Sequence, residues 1–171
     1  DTDTEFSALL IFDEPEIHLH PYLQRTLIKD IYKLALGQDE PFNNLLNEYF
    51  GITKISAQII ITTHSPNMLD DDYTKIIRMF KKDDFTAAVS CANMRLQSKE
   101  EKHLLMQFEY IKEAVFSRAA IIVEGESEYG SFKMFADTLG ADFDKEGIAL
   151  LRARAADSII PIIKLFNKLQ I

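Results

Sequence analysis

Apolar residues in this chain fall into two rhythms that take turns along it. Residues 9–12 form an unbroken apolar run that stops at Asp13 and Glu14, the pattern of a strand buried on both faces of a parallel sheet. Pro21 suits the first turn of a helix. Leu23, Leu27, Ile31 and Leu34 then repeat at helical spacing, and Gly37 suits the stop. Residues 41–50 predict a shorter helix ended by Gly51, and residues 57–62 a second buried strand that delivers Thr63, His64, Ser65 and Pro66 as a loop. Residues 75–80 and 85–91 predict a hairpin around a turn of Lys81, Lys82, Asp83 and Asp84. Residues 98–116 predict one amphipathic helix with Leu104, Phe108, Ile111 and Val115 as its stripe. A third apolar strand at 119–123 ends in Glu124, Gly125, Glu126, Ser127 and Glu128. A helix to about Leu139, a strand at 147–151 and a helix at 158–169 complete the pattern.

Strand and helix alternate in both halves, which predicts an α/β protein with parallel sheets. In such sheets functional groups gather beyond the C-terminal ends of the strands. The acids at 13–14 and 124–128, and His64, all fall at such ends. The pattern divides into residues 1–95, a connecting helix at 96–118, and residues 119–171. With 171 residues, 47% of them hydrophobic, the chain is long enough for a real core. It has one cysteine, Cys91, which excludes a disulfide framework and fits a reducing cytosol. No run of 18 apolar residues and no secretory leader is present, so no membrane span and a cytoplasmic location are expected. The net charge of −8 argues against strong non-specific nucleic-acid binding by this segment alone. It leaves room for a metal-dependent nuclease, whose site must itself be acidic.

Asp13, Glu14 and His64 form the first constellation. Phosphoryl transfer needs a cation on the phosphate oxygens and a group that orients the attacking water. An aspartate at a strand end holds Mg²⁺ directly or through water, the next glutamate acts as base toward water, and a histidine on the neighbouring strand senses the γ-phosphate. The run from Leu9 to Asp13 and Glu14, followed by Pro15, Glu16, Ile17, His18, Leu19, His20 and Pro21, resembles the Walker B strand and following loop of ABC-type ATPase heads. Thr62, Thr63, His64, Ser65 and Pro66 resemble their switch histidine. His18 and His20 would share a face on a strand, but no matching ligand set accompanies them, so they read as loop structure.

Other parts of an ATPase are absent from the sequence. No glycine-rich phosphate loop ending in Lys and Ser or Thr occurs. Gly125 and Gly130 mimic its glycine spacing but lack the lysine and are flanked by glutamates. The ABC signature is missing too. The chain therefore reads as a piece of a longer protein, with residues 1–95 as the C-terminal part of an ATPase sheet.

Glu124 and Glu128 form the second constellation. Gly125 permits a sharp turn after the strand, and Glu128 lies one helical turn on, so two carboxylates meet where a hard cation can be held. Ala119 to Glu128, with Tyr129 and Gly130, resembles the opening motif of a Toprim domain. Taken with the first constellation, the chain resembles the OLD ("overcoming lysogenization defect") nucleases, ABC-type ATPase heads fused to a Rossmann-like Toprim domain. The resemblance implies Asp13 and Glu14 for Mg²⁺ and water, His64 for the γ-phosphate, and Glu124 and Glu128 as metal ligands; Glu126 is outside the family pattern. It implies ATP and Mg²⁺ or Mn²⁺ as cofactors and DNA as substrate. It also implies pairing of ATPase heads in a homo-oligomer and a possible partner protein in anti-phage or anti-plasmid defence. Arg152 and Arg154 stand where relatives often carry glycine, which leaves an ATP-gated DNA-binding or scaffolding protein with a degenerate, non-catalytic Toprim domain as the alternative.

Overall fold

A computed structural model describes residues 5–171. Among these residues the architecture is mixed α/β with three two-stranded sheets. The chain divides into two compact units between Met68 and Leu69.

In the first unit, β1 (Glu5–Asp13) and β2 (Lys54–Thr62) pair in parallel. Their register is flush, with Asp13 opposite Thr62. Between them run α1 (Pro21–Ala35) and α2 (Glu40–Phe50). Pro21 opens α1, and His20 is its N-cap, accepting from the Tyr22 amide through Nδ1 at 3.4 Å and stacking on the Tyr22 ring. His18, at φ 68°, belongs to the turn before it. Both histidines are thus loop and cap structure. Ile31 and Ala35 of α1 and Ile55 of β2 are buried. Gly37 closes α1 at φ 65°, where a Cβ would also lie 3.1 Å from the Ile55 carbonyl oxygen. From sequence, β1 and β2 read as strands buried on both faces. In the structure Leu9, Ile11 and Ile60 are at least half exposed, because burial alternates along the strands and one face is covered.

In the second unit, β3 (Ile77–Lys82) and β4 (Phe85–Ser90) form an antiparallel hairpin. The turn is Asp83 and Asp84 alone; Lys81 and Lys82 belong to β3 and pair with Thr86 and Phe85. A two-residue turn needs a left-handed residue, and Asp83 supplies it at φ 52°. Then come α3 (Ser98–Ile111), β5 (Ala119–Val123), α4 (Glu126–Leu139), the short α5 (Phe143–Glu146), β6 (Ile148–Arg152) and α6 (Ala156–Leu169). β5 and β6 are parallel, with Val123 opposite Arg152. The helix expected over 98–116 stops at Ile111, and a 3₁₀ turn covers Glu113–Phe116. Two side chains explain the change. Lys112, 8% exposed, reaches Asp71 at 2.7 Å and Glu109 at 3.0 Å. Arg78 takes the carbonyls of Val115 and Ser117.

The core of this unit joins Leu104, Phe108 and Ile111 of α3 to Ile162, Leu165, Phe166 and Leu169 of α6. Tyr73, Ile76 and Cys91 complete it. The hairpin and α3, which composition groups differently, therefore share one core with the elements after residue 118. Cys91 is fully buried just beyond β4, and burial pushes its thiol upward, as expected of an inert, small apolar residue.

Candidate functional site

The flush ending of β1 and β2 sets the first site. Thr62 donates its hydroxyl to Asp13 Oδ1, so the aspartate is held by its cross-strand partner. The chain then turns sharply: Glu14 sits at φ 45°, a left-handed conformation that a non-glycine residue adopts at a cost of roughly 1–3 kcal/mol. Its amide is fixed by the Thr62 carbonyl oxygen at 3.0 Å and Thr62 Oγ1 at 3.2 Å. Across the turn, Glu14 Oε1 lies 3.4 Å from His64 Nε2. The imidazole is 85% exposed and Glu14 38%, so the pair opens to solvent. The three residues singled out in the sequence thus meet at one strand-end surface.

Sequence reasoning missed the groups that hold them. Glu16 is 6% exposed. Its Oε1 accepts from the Thr63 hydroxyl and from the His64 amide at 3.2 Å. Ser65 Oγ donates to Gln24 at 2.6 Å, and Arg25 reaches Asn67 at 2.8 Å, so α1 braces the histidine loop. The Pro15–Glu16 step after the acid pair was the available signal for Glu16; for Gln24 and Arg25 local sequence offered none.

The second site lies at the end of β5. Glu124 follows Val123 directly, and α4 begins two residues later. A Cβ at Gly125 would lie 2.9 Å from Glu128 Oε2. The Glu128 carboxylate therefore folds back over the turn that bears Glu124, and a side chain at position 125 would push that carboxylate aside. Both acids are exposed. Hard carboxylate oxygens suit a divalent cation, and these two would supply only part of such a shell. Among the described residues no three His, Cys, Asp or Glu side chains converge in a ready metal cluster. Gly130 lies inside α4, so the glycine pair at 125 and 130 forms no phosphate loop. At the neighbouring strand end, Arg152 pairs with Glu126, and Arg154, at φ 59°, stands 3.9 Å over the Tyr110 ring.

Two families match separate stretches of the chain, one around each strand-end turn. The family described as "AAA ATPase domain" matches residues 1–69. The family described as "Overcoming lysogenization defect protein-like, TOPRIM domain" matches residues 115–171. The chain thus spans the junction between an AAA-type ATPase domain and an OLD-like Toprim domain. Endonuclease GajA of Bacillus cereus (strain HuB5-5) is 27% identical over 148 residues, covering 75% of this chain and 20% of GajA. The OLD nuclease of Thermus scotoductus (strain ATCC 700910 / SA-01) is 27% identical over 149 residues, covering 83% of this chain and 25% of that protein. The chain spans a fifth to a quarter of the length of these two curated relatives. Among the described residues no helix is long and apolar enough to cross a membrane.

Proposed function

We propose that this chain contributes to an ATP-regulated, metal-dependent endonuclease acting on DNA. The observation that carries the reading is that two separate parallel strand pairs each end in their own acidic turn, within the ATPase-type and Toprim-type stretches respectively. In the first, Asp13 binds the magnesium that accompanies ATP, Glu14 orients and deprotonates the attacking water, and His64 meets the γ-phosphate. The 3.4 Å contact between Glu14 and His64 supports a shared task for the pair. In the second, Glu124 and Glu128 hold a divalent cation, which supplies positive charge against the phosphodiester. Nucleotide-driven pairing of two ATPase heads, a cytoplasmic location and a defence role alongside a partner protein complete the proposal.

The test is nicking of supercoiled plasmid by the full-length protein with Mg²⁺ or Mn²⁺. Glu124→Ala is expected to lower the rate roughly a hundredfold or more, since it removes half of the proposed cation site. Unchanged nicking in that variant overturns the site. DNA binding without any cleavage by the wild type moves the balance to the scaffolding alternative. The 171 residues alone, having no glycine-rich phosphate loop, are expected to show no ATP hydrolysis that Glu14→Ala abolishes.

A further inference from the structure

Glu16 differs from every other acid near the two strand-end turns. It lies on the turn that leaves β1, yet its Oε1 crosses to the loop that leaves β2, where it accepts from the Thr63 hydroxyl and the His64 amide. It is 6% exposed, while Asp13 is exposed and Glu14 half-buried. Among the described residues, its Oε2 is the buried side-chain polar atom that has no hydrogen-bond partner. An acceptor left bare in this way gives up its hydration with nothing returned. A buried group of this kind calls for a reason, and a role at a site is one. A stability role alone would be met as well by an apolar side chain of similar volume, because burying a charge seldom stabilises more than good packing does.

We infer that Glu16 is a positioning residue of the ATPase site: its carboxylate ties the His64 loop to the Asp13–Glu14 turn and sets the histidine opposite Glu14. Three features make the tether specific. It acts on the main chain of His64, so it fixes where the residue starts rather than which rotamer it takes. It acts on Thr63 as well, and the Thr63 hydroxyl in turn accepts from the Ser65 amide at 2.9 Å. The loop is therefore gripped on both sides of His64. The β2 end of the site is also held to β1 by the bond from Thr62 to Asp13, so Glu16 carries that alignment past the last strand pair into the loop. The inference rests on the ATPase reading above and names a residue that reading leaves unused.

The experiment compares Glu16→Met with Glu16→Gln in the full-length protein. Methionine fills the space and has no strong acceptor; glutamine keeps a carbonyl oxygen at the Oε1 position. For Mg·ATP hydrolysis, Glu16→Met is expected to lower kcat about tenfold or more while KM stays within about twofold, and Glu16→Gln to recover most of the loss. The melting temperature of Glu16→Met is expected to equal or exceed that of the wild type. A kcat unaffected by Glu16→Met overturns the inference. So does a loss of kcat that glutamine fails to recover, or one that tracks a fall in melting temperature. The tether is also read without turnover, from the His64 backbone amide in ¹⁵N-histidine-labelled protein. That resonance is expected to move in Glu16→Met and to move less in Glu16→Gln, whose neutral carbonyl keeps a weaker bond; an unmoved resonance in the methionine variant overturns the tether. Absent ATP hydrolysis in the wild type together with the expected amide shifts counts against the ATPase reading and leaves the tether standing.

Discussion

Arg78 shows how much one side chain can join. Its Nε donates to the Val115 carbonyl at 3.0 Å and one terminal nitrogen to Ser117 at 2.7 Å. The other terminal nitrogen takes Leu169 at 2.9 Å and Gln170 at 3.0 Å, at the end of α6. Burial pulls its pKa below the ordinary arginine value, but arginine stays charged at any working pH. These carbonyls include the last turn of a helix, which needs donors and favours positive charge. Arg78→Ala is expected to destabilise the unit by about 2–4 kcal/mol, as charged hydrogen bonds are lost and part-buried carbonyls are left bare. Arg78→Lys is expected to recover less than half, because an ammonium cannot reproduce the fork. Urea unfolding measures both. Arg78 is not legible from its neighbours in sequence, since it sits in an alternating strand where a solvated side chain would read the same; for Glu16 the preceding acid pair and Pro15 mark the place but not the burial. Asp13, Glu14, His64, Glu124 and Glu128 are legible because each closely follows an apolar strand, and an apolar run broken by a charged or polar group marks a strand end in the sequence itself.

At the scale of elements, α3 and α6 meet through an apolar seam flanked by ion pairs. Leu104 and Ile162 are fully buried in the seam, and Leu104→Ala is expected to cost about 2–5 kcal/mol. Outside it, Lys99 pairs with Asp157 at 2.7 Å and Lys164 with Glu100 at 2.5 Å. The hydrogen bond from Lys99 holds Asp157 below its ordinary 3.8, and those from Lys164 and the Gln97 amide hold Glu100 below 4.5. A depressed carboxylate contributes stability that is present above its unfolded value and lost as pH falls through the folded one. The melting temperature is therefore expected to gain nothing from these pairs' titration between pH 8 and 5, and to lose their contribution below about pH 4. The variant carrying Asp157→Asn and Glu100→Gln is expected to flatten that acid limb; an unchanged limb would exclude these pairs as its cause. Lys112 behaves in the opposite sense. Burial lowers its pKa, but the bonds to Asp71 and Glu109 outweigh burial and leave it raised, so its contribution persists below 10.5 and fades as pH climbs past the folded value. Periodicity locates every helix and strand of this seam, yet it carries α3 on to residue 116. The stripe of Leu104, Phe108, Ile111 and Val115 continues through Lys112 without a break, and the reasons for the break lie at residues 71 and 78, far away in sequence. The hairpin turn is shorter than expected for a simpler reason: Lys81 and Lys82 are exposed strand residues, and charge alone does not separate strand edge from turn.

At the scale of the molecule, residues 70–114 lie outside both family matches, yet they supply much of the second unit's core. A chain of residues 69–171 is expected to unfold in one cooperative transition. A chain of residues 115–171 is expected not to fold, since it lacks Leu104, Phe108, Ile111 and the Arg78 guanidinium. Dispersed amide resonances from the shorter chain would show that the hairpin and α3 are dispensable. The same bonds set a timetable for synthesis. Arg78 leaves the ribosome 92 positions ahead of Gln170, the furthest carbonyl it binds. At cellular elongation rates that is a wait on the order of 5–20 s, long against the microseconds in which a hairpin closes. Until α6 follows, Tyr73, Ile76 and Cys91 lack the core partners Ile162, Leu165, Phe166 and Leu169, and that side is available to a chaperone or to a neighbouring nascent chain. The hairpin is made first and anchored last.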